Sequence, residues 1–123
     1  MQNKDGAKAM GNQDMTKIAD NLGPNETREE ADGTDKQGDK QKKLYLVETI
    51  GGDKKAFLVV RDKTFEVRTN RKLGDFLRTK YESIMESRYF GQGGIELVKE
   101  GQLTSEEMED LVRLSYDLTR RIK

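Results

Sequence analysis

The stretch LYLVETIGGDKKAFLVVRDKTFEVRTN, residues 44–70, decides the fold because three runs of strand-forming residues follow one another with short turns between them. β-Branched and aromatic side chains are frequent in these runs, and in the third run Phe65 and Val67 alternate with Glu66 and Arg68, as in a half-buried strand. Glycine, aspartate and lysine between the runs are typical of turns. We therefore predict three antiparallel strands, connected as a meander, at residues 44–51, 55–62 and 64–70.

Two helices and a fourth strand are predicted after this stretch. Asn70 is a suitable N-cap, and the helix that follows it carries an apolar stripe: Leu73, Phe76, Leu77, Tyr81 and Ile84. The segment ESRYFGQGG, residues 86–94, is interpreted as an irregular linker, and residues 94–101 as a strand. The pattern indicates an α+β fold, with a sheet of about four strands packed against two C-terminal helices.

The last helix has a clear start and one continuous apolar face. Thr104 and Glu107 have the spacing of a capping box. Ser115 lies within the apolar face and Tyr116 at its edge, so we interpret them as a packing residue and an anchor, and expect Ser115→Ala to be nearly neutral. A serine nucleophile needs a nearby base, and the chain contains no histidine.

Residues 1–43 are predicted to be a mostly disordered polar tail, and residues 44–123 a single α+β domain. The tail has too few apolar side chains to offset the entropy lost on ordering. One patch differs, because Met15, Ile18, Ala19 and Leu22 share one face of a short helix at 14–22. A helix of this length is marginal alone, so we expect it to dock on the domain or fray, in preference to serving as a binding motif for a partner.

Composition excludes several classes of function. The chain has 23 basic and 23 acidic residues, which does not favour a strongly basic nucleic-acid binder. The absence of cysteine and histidine removes thiolate and imidazole chemistry. We therefore predict no catalytic residue, no cofactor and no metal site. The longest wholly apolar run, AFLVV, is too short to span a bilayer, so we expect a cytoplasmic protein without membrane association.

Basic residues nevertheless concentrate in one part of the sequence, between Arg61 and Arg88, with Tyr81, Tyr89 and Phe90 among or beside them. Cations interleaved with aromatic rings suit phosphates and bases. The alternative is a solvated face with charge pairs. The candidate nucleic-acid-binding residues are Arg68, Arg71, Lys72, Arg78 and Arg88.

The segment from about residue 57 to residue 122 resembles the MmcQ/YjbR-like family of small bacterial proteins. The resemblance rests on the order and spacing of five pieces: AFLVV, FEVRTNRKLGDFLR, Ser87-Arg88, GIELVKEGQLTSEEMEDLV and Ser115-Tyr116. The chain departs from the family where Gly93-Gly94-Ile95 replaces a common tryptophan. It also departs at its start, where a long polar segment precedes the first predicted strand.

The resemblance implies a curved antiparallel sheet with helices on one side, a fold also described as CyaY-like or double-wing. Members of the family are usually described as DNA-binding proteins on the strength of their fold. We accordingly expect a small, non-enzymatic DNA-binding or DNA-associated accessory protein whose partner is double-stranded DNA. The alternative is a protein–protein interaction module or regulator that binds no nucleic acid, which the near-neutral charge favours.

Overall fold

The computed structural model of the protein describes residues 12–31 and 41–123. The helices in this part are α1 (Asn12–Leu22), α2 (Arg71–Lys80) and α3 (Ser105–Arg120). The strands are β1 (Glu26–Ala31), β2 (Gln41–Glu48), β3 (Lys54–Val60), β4 (Thr64–Arg68), β5 (Ile84–Ser87) and β6 (Gly91–Val98).

All six described strands form one antiparallel sheet in the order β1-β2-β3-β4-β6-β5. The predicted α+β class, with an antiparallel meander followed by a C-terminal helix, is confirmed. The predicted caps are also present: Asn70 accepts a hydrogen bond from the Leu73 amide, and Thr104 and Glu107 form the capping box. The sheet has six strands where about four were expected, because β1 and β5 were not anticipated.

Strand β1 lies where the sequence analysis placed a polar tail, so that expectation is wrong for Glu26–Ala31. The strand is almost entirely exposed, and it is held by backbone pairing to β2 rather than by apolar burial. Opposite charges face each other across the pair, as at Glu30 and Lys42, 4.0 Å apart. The tail was predicted from its low content of apolar side chains, and that criterion does not detect an edge strand held by backbone and charge pairing. Residues 1–11 and 32–40 of the expected tail lie outside the described residues.

The short helix expected at 14–22 is present as α1, and it docks on the domain. Met15 and Ala19 are fully buried, and the Thr16 hydroxyl lies 2.7 Å from the Tyr45 hydroxyl. The helix is thus part of the main core, as the docking interpretation required.

Strand β5 replaces the end of the expected helix and the start of the expected linker. Helix α2 ends at Lys80, where Tyr81 has an extended backbone. Ile84, assigned from the sequence to the helix stripe, begins β5 and is buried beside the paired residue Leu97. An apolar residue at this position fits both a helix and a strand, because the helical period of 3.6 residues and the strand period of 2 cannot be distinguished over so short a segment.

The core has two parts, one on each face of the sheet. The larger lies between the sheet and all three described helices, and includes Phe57, Phe65, Ile95, Val112 and Tyr116. The smaller lies on the opposite face, which we call the second face, and consists of Leu44, Leu46 and Val59 with Phe90 packed against them.

Ser115 joins helix α3 to the sheet through two hydrogen bonds, one buried and one partly buried. Its hydroxyl donates to the Phe57 carbonyl at 2.6 Å and accepts from the Arg68 amide at 2.7 Å. The pairing of β3 with β4 ends at Leu58 and Val67. Beyond that pair the strands separate, and the serine hydroxyl bonds the backbone groups of both. The residue is fully buried, and the sequence-based expectation that its hydroxyl is dispensable does not fit this geometry.

We expect Ser115→Ala to lower the free energy of unfolding by about 1–3 kcal/mol, because it leaves a partly buried amide and a buried carbonyl without their partner. Urea denaturation measures the change. The matched control is Ser105→Ala, the same substitution at the first residue of the same helix. Equal stability of the two variants would show that the Ser115 hydrogen bonds add nothing.

Candidate functional site

A row of paired residues crosses the second face from one edge strand to the other. In the order of the strands it consists of Arg28, Leu44, Val59, Glu66, Glu96 and Met85. The row changes from apolar to acidic at β4, and Glu66 and Glu96 are directly opposite each other. Two carboxylates at this spacing repel unless each has its own cation or hydrogen-bond donors.

Glu66 is fully buried and fixes the β5–β6 loop to the sheet. One carboxylate oxygen accepts from the Ser87 hydroxyl at 2.6 Å and from the Tyr89 amide at 2.8 Å. The other oxygen accepts from the Arg61 guanidinium. The Ser87 hydroxyl in turn accepts from the Phe90 amide at 2.7 Å. The loop expected to be an irregular linker is therefore folded back over the second face.

Glu96 is held by a forked pair with Arg88. The arginine donates to both carboxylate oxygens, at 3.0 and 2.6 Å, and the Thr64 hydroxyl donates at 2.6 Å. Burial acts to raise the pKa of Glu96, but the hydrogen bonds from Arg88 and Thr64 outweigh it, and the pKa lies below its ordinary value. Glu96 is consequently a carboxylate at neutral pH.

Phe90 packs on the second face beneath a cation. Its ring lies 4.8 Å from the Arg68 guanidinium carbon and packs edge-on against Tyr89, with 5.0 Å between ring centroids. Gly94 makes room for it, since a Cβ at this glycine would lie 2.7 Å from the Phe90 Cβ. A glycine is thus required where the loop crosses the sheet.

Arg68 spans the gap where β3 and β4 separate. Its guanidinium donates to the Thr119 hydroxyl at 3.1 Å and to the Ala56 carbonyl at 3.0 Å. Burial lowers the pKa of Arg68 below its usual value, although an arginine so basic remains charged. The residue therefore presents a fixed positive charge at the surface of the second face.

A groove beside Arg68 has a basic lining. Its volume is about 440 Å³, and it is lined by Arg28, Leu46, Lys54, Lys55, Ala56, Arg68, Tyr89 and Ile122. Four of these residues are cations, and none is an acid. Lys54 pairs with Glu26, and Arg28 lies 3.8 Å from Glu30, so two of the cations have carboxylate partners outside the lining. We call this site the basic groove.

The five sequence-predicted contacts do not form one surface. Arg68 and Arg88 belong to the second face. Helix α2 packs on β5 and β6 from the opposite face, and it carries the other three residues. Arg71 and Lys72 are exposed there, while Arg78 donates to the Gly94 carbonyl at 3.1 Å and pairs with Asp75.

Three lining residues of the basic groove were missed by the sequence analysis. Arg28 was assigned to the polar tail, and it joins the groove only because β1 pairs with β2. Lys54 and Lys55 open β3, outside the basic window that begins at Arg61. The sequence signal that could have identified Arg28 is the match of opposite charges between β1 and β2, where Glu29 and Glu30 face Lys43 and Lys42.

Comparisons with known proteins support the fold. The chain is similar in structure to Deinococcus radiodurans protein DR2400, which carries a DUF419 domain, with a TM-score of 0.67 and 16% sequence identity. The alignment covers 86% of this chain and 75% of that chain. No family model and no curated protein matches the sequence. At this level of identity the likeness shows that the two chains share a fold.

The side chains and helix lengths of residues 12–31 and 41–123 also bear on metal binding and on membrane crossing. No group of three or more acidic side chains in this part is placed to hold a metal ion. No helix in the same part is long and apolar enough to cross a membrane.

We expect Gly94→Ala to lower the free energy of unfolding by about 1–3 kcal/mol, because the added Cβ overpacks the loop. It would lie 2.5 Å from the Val67 carbonyl oxygen as well as against Phe90. Gly93→Ala is the control, since its Cβ would meet only the Phe90 carbonyl oxygen, at 3.5 Å. If urea denaturation gave the two variants the same stability, close packing of the loop against Gly94 would be refuted.

We expect Glu96→Gln to lower stability by about 1–3 kcal/mol at pH 7, because it replaces an acceptor of charged hydrogen bonds with an amide. The folded pKa of Glu96 is lowered, so its contribution is full above the unfolded pKa and is lost as pH falls through the folded pKa. The stability gap between the native protein and the variant should therefore shrink below about pH 4.

Urea denaturation at a series of pH values measures that gap. Glu82→Gln, at an exposed position, is the control for a surface carboxylate. A gap that stays constant from neutral to acidic pH would contradict an ionised, paired Glu96.

Proposed function

We propose that this protein is a small, non-enzymatic DNA-binding protein that contacts phosphates through the basic groove. The observation that carries the proposal is the lining of the groove, where, among residues 12–31 and 41–123, four cations and an exposed tyrosine occur with no acidic side chain. Phosphate contacts supply most of the affinity in non-specific nucleic-acid binding. The similarity to a DUF419 protein supports the fold and gives no direct support for this function.

The cations of the basic groove are fixed on sheet strands rather than on flexible ends. Arg68 is held by its own hydrogen bonds, and Arg28, Lys54 and Lys55 belong to paired strands. The pairs Lys54–Glu26 and Arg28–Glu30 are exposed. Exposed ion pairs contribute little to stability, so phosphates can replace the carboxylates without a large loss.

The sequence-predicted contacts at the start of α2 define a competing DNA surface. Arg71 and Lys72 are exposed at a helix N-terminus with no acidic residue in its first turn. They lie on the face opposite the basic groove. Charge reversal at each surface separately therefore shows which one DNA uses.

A labelled duplex with a single-stranded overhang tests the proposal, because it offers both forms of DNA. We expect fluorescence anisotropy to show affinity falling with salt, and the variant Arg28→Glu/Lys55→Glu to reduce the slope of log affinity against log salt by about 2. The loss should be similar for unrelated sequences, as expected of phosphate contacts.

Two control variants complete the experiment. Lys17→Glu reverses an exposed charge on α1, away from the basic groove, and should leave the affinity unchanged. If Arg71→Glu/Lys72→Glu abolishes binding and the groove variant does not, the DNA surface is the start of α2. Absence of binding at low salt would instead favour the protein-interaction alternative, for which Phe76, 58% exposed on α2, is the candidate contact.

A further inference from the structure

We infer that the basic groove takes single-stranded nucleic acid, with one base stacked on the ring of Tyr89. The inference rests on the proposed function and adds to it the form of the ligand. It replaces double-stranded DNA, the partner expected from the sequence, with a strand whose bases are exposed.

Tyr89 has the placement of a stacking residue. It is 42% exposed and lines the basic groove, although a large aromatic ring is normally buried for its apolar area. Its backbone amide is bonded to the buried Glu66 at 2.8 Å. Its ring is steadied by Phe90 at an interplanar angle of 81°. A ring fixed in this way loses little entropy when a base stacks on it.

The floor of the basic groove also suits a base better than a phosphate. The buried residues Leu46 and Ala56 give the lining an apolar part. A duplex keeps its bases paired and presents phosphates outward, so it leaves both the apolar floor and the ring without a partner. A single strand offers its phosphates to the cations and the face of a base to the aromatic ring.

The size of the groove is consistent with one nucleotide at a time. Its volume of about 440 Å³ lies in the range of concave sites that hold small organic ligands. A free mononucleotide also offers a phosphate and a base, so the experiment has to distinguish binding of a strand from binding of a free nucleotide.

The first experiment compares two labelled ligands of the same mixed sequence, a single strand of about 12 nucleotides and the corresponding blunt duplex. We expect the single strand to bind more tightly in fluorescence anisotropy. Unlabelled thymidine monophosphate is the competitor for the free-nucleotide source, and it should not displace the strand at equal nucleotide concentration. A blunt duplex that binds as tightly as the strand would overturn the inference, and so would full displacement by the mononucleotide.

The second experiment changes the ring. Tyr89→Ala should weaken single-strand binding about tenfold, while Tyr89→Phe should bind like the native protein. Phe76→Ala removes an exposed ring from α2 and is the matched control. The chain has no tryptophan, so Tyr89→Trp introduces a single indole whose fluorescence a stacked base should quench. Unchanged affinity of a folded Tyr89→Ala variant, or no quenching on saturation with the strand, would exclude stacking.

The outcomes separate this inference from the proposed function. If the groove variant Arg28→Glu/Lys55→Glu weakens binding while Tyr89→Ala does not, phosphate binding stands and stacking fails. If neither substitution affects binding, both fail. Thermal unfolding of each variant shows that a loss of affinity comes from a folded protein.

Discussion

The hydrogen-bonded pairing of the buried Glu66 carboxylate is the constraint on which the second face depends. A buried ionised carboxylate is costly unless it is paired and fully hydrogen-bonded. Glu66 meets that condition with Arg61, with the Ser87 hydroxyl at the end of β5 and with the Tyr89 amide in the β5–β6 loop. If this segment moved away, the carboxylate would lose the last two donors. The loop is therefore tied to the sheet, and through Phe90 it gives the second face an apolar cover that no described helix supplies.

Helix α3 links that layer to the main core through the gap between β3 and β4. Ser115 completes the hydrogen bonding of the separated strands, and Thr119 orients the Arg68 guanidinium. Arg68 then packs over the ring of Phe90. A chain of direct contacts thus runs from the helix face to the basic groove. The guanidinium of Arg68 is consequently fixed in place, since helix, strand and loop each contact it.

The sequence predicted the elements whose signals are local and missed those whose partners are distant. The capping box at Thr104 and the N-cap at Asn70 are set by residues three positions apart, and β2, β3 and β4 by alternation within single runs. The β5–β6 loop is different, because its partner Glu66 is 23 residues away from Tyr89. Nothing near Ser87 in the sequence identifies that carboxylate. Ser87-Arg88 was recognised as a pair typical of a family, whereas its physical role, binding Glu66 and Glu96, became clear only from the sheet register.

The charge balance of the chain is a poor guide to the charge of any one part of its surface for the same reason. With 23 acids and 23 bases, the sequence favours a protein that attracts no polyanion. The fold distributes these charges unevenly, however. Glu66 and Glu96 are buried against arginines, which removes both acids from solvent. Coulomb interactions in water are screened over about 10 Å, so a phosphate responds to the groups around it and not to the total. The local charge is therefore set by the placement of carboxylates across strand pairs. In the basic groove the fold brings four cations together, two of which pair with Glu26 and Glu30.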